Sequence, residues 1–282
     1  MTGQALSGDR KTQLLTLFNQ AVNLHAAGQV LAAAKAYEQL LKDIPNHADV
    51  LDLYGTALFQ LGAPDKGRPY VVASLHRRPL HGPAWNHLGA IDRGLRNDPA
   101  AELAFRRAIL LDPGKAEALV NLAAICGDRD DTDTGLTLNR RAFAVAPRSP
   151  DAILRQGVLL RRAGRSEEAI PFLEATWRQQ TGNTEVALNL ARAFVDLGRL
   201  VEGRRIAMIA IAMAPETTEL YGSLATSHDP RWSTDRDVAW ARAATCLRPL
   251  DARNWLNYCA ETFRDGRIDE AYAASRRTLA LD

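Results

Sequence analysis

The sequence predicts an all-α protein, a solenoid of about eight helix-turn-helix repeats of 34 residues each. Three observations lead to this prediction. Small residues recur at two fixed positions of a 34-residue ruler, and glycine recurs at a third. Prolines recur at the same interval and, after one gap, resume it: Pro45, Pro79, Pro113, Pro147, Pro215 and Pro249. A fixed internal period of this length is typical of repeat architectures.

The period divides the chain into two parts. Residues 1–13 are interpreted as a flexible N-terminal segment that includes the start of the first helix, near Asp9, and residues 14–282 as the repeat array. Repeat positions are counted from the first residue of each repeat. The predicted repeats are 14–47, 48–81, 82–115, 116–149, 150–183, 184–217, 218–251 and 252–282.

Each repeat is expected to contain two closely crossing helices. Position 8 is always small, and position 20 is small in seven of the eight repeats, with Asp237 as the exception. A small side chain on each helix lets two backbones approach, while larger apolar residues interlock around them. Those larger residues stand at positions 4 and 7, three apart on one helical face, as in Trp85 and Leu88.

Glycine at position 15 predicts the end of the first helix, because glycine readily adopts the left-handed conformation of a helix C-terminus. Gly62 and Gly164 are examples. The proline at position 32 predicts the end of the second helix, since proline does not fit a helix interior. The third repeat has Arg96 at position 15, so a different turn is expected there.

A unit of 34 residues with small residues at positions 8 and 20, an aromatic or aliphatic residue at position 24 and proline at position 32 resembles the tetratricopeptide repeat. Position 24 carries Tyr37, Val71, Phe105 and Leu173. The resemblance covers nearly everything after residue 13. It implies a right-handed superhelix whose first helices line a concave groove, and it directs attention to positions 2, 5, 6, 9, 12 and 13 of each repeat.

Position 6 is asparagine in four of the eight repeats: Asn19, Asn121, Asn189 and Asn257. A carboxamide both donates and accepts hydrogen bonds, so a row of asparagines can pair with the backbone of an extended peptide. The row resembles the asparagine ladder of O-linked N-acetylglucosamine transferases. His87 and Arg155 occupy the same position in other repeats and are included in the predicted groove. The alternative is that these are ordinary solvated helix residues, since Leu53 and Ser223 interrupt the row.

Arginines add a second feature to the predicted groove. Four of them fall at inner positions of the fifth and sixth repeats: Arg155, Arg161, Arg162 and Arg192. Guanidinium groups bind carboxylates in a two-pronged manner, which suits acidic segments. The alternative is a solvated face paired with nearby carboxylates.

The clamp with which some tetratricopeptide repeat proteins hold the C-terminal carboxylate of chaperones is not expected. Asn121 and Arg155 match two of its positions, but Asn86, Ala90 and Asp151 stand where that clamp has Lys, Asn and Lys.

No catalytic motif, phosphate-binding loop or cofactor site is found, so the chain is predicted not to be an enzyme and to need no cofactor. His76, His81 and His87 straddle a repeat junction without a companion ligand, which argues against a metal site. The acidic run 128–133 lacks the glycine and the terminal glutamate of an EF-hand loop. A loop that caps a helix is the better interpretation.

Charge and hydropathy limit the partners. A net charge of +2 gives no field that would gather nucleic acid, so no nucleic-acid partner is predicted. The start of the chain has no apolar segment of a signal peptide, and no later stretch is apolar enough for membrane insertion. A cytoplasmic protein is expected.

Two irregular regions suggest further contacts. In the repeat 218–251, Trp232 follows Pro230 and is interpreted either as an exposed anchor for a partner or as a plug in the helix stack. The last repeat ends at Asp282 without a polar cap over its apolar face. A further C-terminal domain or self-association through this repeat is therefore expected.

These observations lead to one hypothesis and two alternatives. The leading hypothesis is a non-catalytic protein–protein interaction scaffold that binds a polypeptide segment in its concave groove. The first alternative is the substrate-holding arm of a larger glycosyltransferase, of which this chain is the N-terminal part. The second is a self-assembling scaffold.

Overall fold

A computed structural model describes residues 8–180, 182–215, 217, 219–221 and 234–281. All regular structure in these ranges is helical, which confirms the predicted all-α fold. Fifteen helices have defined bounds in the described part of the chain. They are α1 (Gly8–Ala26), α2 (Val30–Asp43), α3 (Ala48–Gln60), α4 (Pro64–Arg77), α5 (Gly82–Gly94), α6 (Asp98–Leu111), α7 (Ala116–Asp128), α8 (Thr132–Val145), α9 (Pro150–Arg162), α10 (Ser166–Gln179), α11 (Thr184–Asp196), α12 (Leu200–Met213), α13 (Thr234–Leu247), α14 (Ala252–Arg264) and α15 (Ile268–Leu279).

The helices recur with a constant spacing. From α3 to α11, every second helix starts 34 residues after its predecessor, as Ala48, Gly82 and Ala116 show. The helices that follow the turns, from α4 to α15, start at the same interval. In the text below, α1, α3, α5, α7, α9, α11 and α14 are the first helices of their repeats, and the others are second helices. Trp232, which is interpreted as a partner anchor or a plug, lies outside the described residues.

The chain divides into two compact units. The first unit comprises residues 1–126 and 140–146, and the second comprises residues 127–139 and 147–282. Inside the first unit, α1 packs on α2, α3 on α4 and α5 on α6, and each pair packs on the next. Inside the second unit, α9 packs on α10, α11 on α12 and α14 on α15.

Small residues bring the two helices of a repeat together, as the sequence predicts. A Cβ atom added to Gly67 on α4 would lie 2.3 Å from the backbone oxygen of Gly55 on α3. The same contact recurs in the second unit, where a Cβ on Gly203 would lie 3.0 Å from the oxygen of Ala191. The backbones therefore cross too closely for larger residues at these positions.

Asp237 is the exception to the small residues at position 20. It is buried on α13, and its Oδ1 lies 2.5 Å from Nη2 of the equally buried Arg204 on α12. The Arg204 guanidinium also lies 5.4 Å from the ring centroid of Trp240. Buried charges are tolerated when they are paired and surrounded in this way.

The turn between the two helices of a repeat keeps one geometry. Glycines at position 15, such as Gly62, have positive φ, and Arg96 in the third repeat has φ 58°. The amide of Ala63 donates to Leu58 O at 3.0 Å, and that of Asn97 donates to Asp92 O at 2.9 Å, so both turns carry the same 6→1 hydrogen bond. The expectation of a different turn at Arg96 is wrong, because helix packing fixes the turn whichever residue occupies it.

Each unit has its own apolar core. In the first unit, Tyr37, Leu40 and Val50 are fully buried in one cluster, and Val71 and Ile91 belong to another. In the second unit, two clusters combine alanines with larger residues such as Leu220 and Tyr258. None of the helices in the described residues is long and apolar enough to cross a bilayer.

Candidate ligand-binding surface

In the first unit, polar side chains of consecutive first helices meet in pairs. His87 on α5 places its Nδ1 2.9 Å from Oδ1 of Asp52 on α3. Asn121 on α7 donates from its Nδ2 to Oδ1 of Asn86 on α5, at 3.4 Å. Both pairs are 35 residues apart, because position 5 of one repeat adjoins position 6 of the next. The helices α3, α5 and α7 thus carry a row of polar groups.

Buried side chains support this row. Asp52 is 2% exposed and Asn86 is fully buried. His81 adds a second imidazole beside Asp52, with its Nδ1 4.0 Å from Oδ2. The Nδ2 of Asn86 has no hydrogen-bond partner among the described residues. Because a buried polar group is costly unless it is paired, the contacts to His87 and Asn121 stabilise the row as well as shape it.

In the second unit, polar side chains of consecutive first helices also meet, but with a different chemistry. Arg161 on α9 donates from Nε to Oδ1 of Asn189 on α11, at 3.2 Å. Nδ2 of Asn189 donates in turn to the backbone oxygen of Glu185, at 2.8 Å. The carboxylate of Asp196 lies 3.9 Å from Nη1 of Arg161 and accepts a hydrogen bond from the Ser166 hydroxyl at 2.8 Å. Asn189 therefore acts as a support that orients the Arg161 guanidinium.

The other two arginines of α9 differ in how firmly they are held. Arg162 forms an ion pair with Asp128 at 2.8 Å and donates to the backbone oxygen of Gly127. Arg155 stands 4.0 Å from the Glu185 carboxylate. Arg162 thus ties α9 to the end of α7, while Arg155 makes a longer electrostatic contact.

Burial and neighbouring charges shift the pKa values of two of these guanidinium groups. Burial lowers the pKa of Arg161, the neighbouring Arg192 and Arg162 lower it further, and Asp196 opposes them. The pKa of Arg192 is also lowered by desolvation; Glu219 and Asp196 oppose this shift, and Arg162 and Arg253 add to it. Both guanidinium groups are thus partly desolvated and lie close to other guanidinium groups.

The other predicted groove residues are not paired in this way. Asn19 on α1 is exposed, and Asn257 on α14 is half-buried. Neither side chain makes a hydrogen bond with the described residues. The structure therefore brings together His87 and Asn121 with partners in the first unit, and the arginines with Asn189 in the second.

Sequence reasoning missed four groups that shape these surfaces. They are the acceptors and supports Asp52, Asn86, Glu185 and Asp196. The signal that finds the first two is a polar residue at position 5 followed, 35 residues later, by a polar residue at position 6. Asp196 also follows its partner Arg161 by 35 residues, at position 13 after position 12. Glu185 departs from this spacing, because the long side chain of Arg155 reaches it over a turn.

The acidic run after α7 caps the helix that follows it. Asp131 accepts a hydrogen bond from the backbone amide of Thr134, at 3.3 Å, in the first turn of α8. This agrees with the interpretation of the run as a capping loop. Within the described ranges, no three His, Cys, Asp or Glu side chains are grouped so that they could hold a metal ion.

Comparison with protein families identifies one segment directly. Residues 160–226 match the family model described as tetratricopeptide repeat. A search of curated proteins found no match.

Solved structures extend the likeness over most of the chain. The crystal structure of the APC/C hetero-tetramer Cut9–Hcn1 superposes with a TM-score of 0.75 at 14% identity, over 94% of this chain and 52% of that one. This chain thus spans about half the length of that relative. A tetratricopeptide repeat protein from Parabacteroides merdae gives a TM-score of 0.65 at 11% identity, over 89% of this chain and 99% of that one.

A third solved structure has a described ligand site. YrrB, a tetratricopeptide repeat protein with an unusual peptide-binding site, gives a TM-score of 0.50 at 11% identity, over 65% of this chain and 95% of that one. At these identities the similarity concerns the fold alone.

Proposed function

We propose that this tetratricopeptide repeat protein is a non-catalytic scaffold that binds a polypeptide segment in a concave groove, along the first helices of its repeats. The observation that carries the proposal is the row of paired polar side chains on consecutive first helices. Asp52 with His87, and Asn86 with Asn121, recur at the same spacing of 35 residues. A ligand that extends along the repeats would meet equivalent groups at regular intervals.

The chemistry of the row suits a peptide backbone. Peptide N–H and C=O groups alternate, so a surface that binds them needs both donors and acceptors. Asparagine offers both in one side chain, and neutral histidine offers one of each. These groups are already oriented by their neighbours, so little side-chain entropy would be lost when a ligand binds.

Repeat proteins of this fold offer extended surfaces of this kind. YrrB, which shares the fold, is described as having a peptide-binding site. This supports a peptide as the ligand class here. The absence of catalytic motifs from the sequence supports a binding role in place of an enzymatic one.

The proposal is tested with an array of immobilised peptides of random sequence. The wild-type chain is expected to retain a subset of the peptides. The double variant Asn121→Ala with Asn189→Ala is expected to bind them about tenfold more weakly, since it removes one row contact from each unit. Unchanged retention of every peptide by the double variant would contradict the proposal.

The matched control is Asn23→Ala, which removes an exposed asparagine of α1 at position 10, away from the row. This variant is expected to bind peptides as the wild type does. Circular dichroism and urea unfolding of all three proteins would separate a loss of contact from a loss of fold, because Asn189 is only 7% exposed.

A further inference from the structure

Of the four arginines that the sequence predicts in the groove, all of them in the second unit, Arg161 and Arg162 are held differently. Arg162 is bound by the Asp128 carboxylate at 2.8 Å and by the backbone oxygen of Gly127. Nε of Arg161 donates a hydrogen bond to Oδ1 of Asn189. Its Nη1 lies 3.9 Å from Oδ2 of Asp196, beyond hydrogen-bonding distance. The terminal edge of the Arg161 guanidinium is therefore not closed by a carboxylate.

Arg192 lies beside this open edge. It is three residues after Asn189 on α11, so the two side chains share a face of that helix. Because Arg161 bonds to Asn189, the guanidinium of Arg161 reaches this same face. Arg192 makes no hydrogen bond or ion pair with the described residues. Two guanidinium groups thus converge with incomplete counter-charge.

The nearby carboxylates are shared with other groups. Asp196 accepts the hydrogen bond of the buried Ser166 hydroxyl, at 2.8 Å. Glu219, whose charge is felt by Arg192, is paired with Arg248 at 2.9 Å. Burial is the main cause of the lowered pKa values of Arg161 and Arg192, so both guanidinium groups are partly withdrawn from water.

We propose that Arg161 and Arg192 together bind a side-chain carboxylate of an acidic peptide segment, and that Arg162 and Asn189 position them for it. This inference rests on the proposed function, because it names the class of peptide that the same surface takes. The two arginines stand at positions 12 and 9 of their repeats.

A carboxylate fits the geometry of the open guanidinium edge. With Nε of Arg161 committed to Asn189, the remaining Nη edge is a two-pronged donor, which matches the two oxygens of a carboxylate. The carboxylates of Asp128, Glu185 and Asp196 are interleaved with the arginines and would repel a continuous phosphate backbone. The net charge of +2 likewise gives no long-range attraction for nucleic acid.

The test is fluorescence anisotropy with labelled hexaglutamate, hexaglutamine and phosphoserine-containing peptides of equal length. Hexaglutamate is expected to bind at least about tenfold more tightly than hexaglutamine, and Arg192→Ala is expected to remove about that factor. Salt should weaken the binding, because the contact is electrostatic. The control is Arg178→Ala, an equal change of charge at an exposed residue of α10, a second helix.

A reciprocal variant separates a specific contact from net charge. Arg192→Glu is expected to lose hexaglutamate and to favour hexalysine, whereas Arg178→Glu is expected to change neither. Loss of hexaglutamate binding in both arginine variants alike would overturn the proposal, since it would show an effect of overall charge.

The remaining outcomes also decide between the two proposals. Equal binding of hexaglutamate and hexaglutamine overturns the preference for acidic peptides and leaves peptide binding intact. A phosphoserine peptide that binds more than about tenfold tighter than hexaglutamate overturns the carboxylate assignment. Failure to bind hexaglutamate, while the random-sequence array still retains peptides, overturns the acidic inference alone. Failure on the array too overturns both.

Discussion

The indole Nε1–H of Trp85 donates a hydrogen bond to the backbone oxygen of Pro79, at 2.8 Å. Trp255 makes the same contact with Pro249, also at 2.8 Å, five repeats further along the sequence. In both cases a tryptophan at position 4 reaches the proline at position 32 of the preceding repeat. This contact joins the start of one repeat to the end of another, because proline itself leaves its carbonyl free to accept.

We therefore expect Trp85→Phe to lower the free energy of unfolding by about 1 kcal/mol more than a Trp→Phe change without a lost hydrogen bond. The control is Trp177→Phe, since Trp177 donates to none of the described residues. Urea unfolding of the three proteins, followed by circular dichroism, measures the difference. Equal losses at both sites would show that the hydrogen bond contributes nothing.

The turn at Arg96 carries strain that glycine would relieve. Arg96 has φ 58°, a left-handed conformation that costs a residue with a Cβ atom about 1 kcal/mol or more. We expect Arg96→Gly to raise the free energy of unfolding by about 1 kcal/mol. The opposite change, Gly62→Ala, starts from φ 80° and is expected to lower it by a similar amount. A shift of both unfolding midpoints in the same direction would contradict this explanation.

Gly67 is expected not to tolerate even a methyl group. Replacing a glycine inside a helix with alanine gains about 1 kcal/mol of helix propensity. At Gly67, however, the new Cβ would lie 2.3 Å from the backbone oxygen of Gly55, which has no flexible side chain that could move aside. Overpacking of this kind typically costs about 1–3 kcal/mol, so we expect Gly67→Ala to lower the free energy of unfolding overall.

Gly114 provides the control for this prediction. A Cβ there would meet only the side chain of Asp112, at 3.4 Å. Gly114→Ala is accordingly expected to change the thermal unfolding temperature little. If Gly67→Ala were as stable as Gly114→Ala, α3 and α4 would not cross as closely as described.

The repeat pattern was predictable from the sequence because it depends on backbone chemistry. Proline ends a helix wherever it stands, and a small residue is required wherever two backbones nearly touch, as at Gly55 and Gly67. Arg96 shows the limit of this reasoning, since neighbouring helices impose a backbone conformation that the residue itself disfavours. Tertiary packing then outweighs the backbone preference of the residue.

The polar surface was predictable only in part. The inner positions could be assigned from the repeat, and Asn189 and Arg161 were both among them. In the structure, Asn189 supports Arg161 and does not face a ligand freely. This contact joins residues that are 28 apart, a spacing that no repeat period reveals. Asp52 was missed because a buried carboxylate is disfavoured until its histidine partner is known.

We expect the buried Tyr37 to make the free energy of unfolding fall in alkali. Burial raises the pKa of its hydroxyl from 10.0 to about 12. Because the folded-state pKa is raised above that of the unfolded chain, the contribution of Tyr37 to stability is fully present below pH 10 and is lost as the pH rises towards 12. Tyr37→Phe removes the ionisable group, so its unfolding midpoint should fall less steeply in this range.

The comparison of wild type and Tyr37→Phe between pH 9 and 12 cancels the titration of the other tyrosines and lysines. The two midpoints are expected to run parallel below pH 10 and to diverge above it. Parallel curves over the whole range would mean that Tyr37 ionises in the folded state as freely as in the unfolded chain.

Arg162 and Arg192 are expected to differ in their effects on stability. Arg162→Ala removes the ion pair with Asp128 and the hydrogen bond to Gly127 O, so it should lower the free energy of unfolding by about 1–2 kcal/mol. Arg192→Ala removes a charge that disfavours the neighbouring Arg161, and its effect should stay within about 0.5 kcal/mol. Urea unfolding of both variants checks this contrast. A loss of stability at Arg192 as large as that at Arg162 would show that Arg192 is held by the fold and is not available to a ligand.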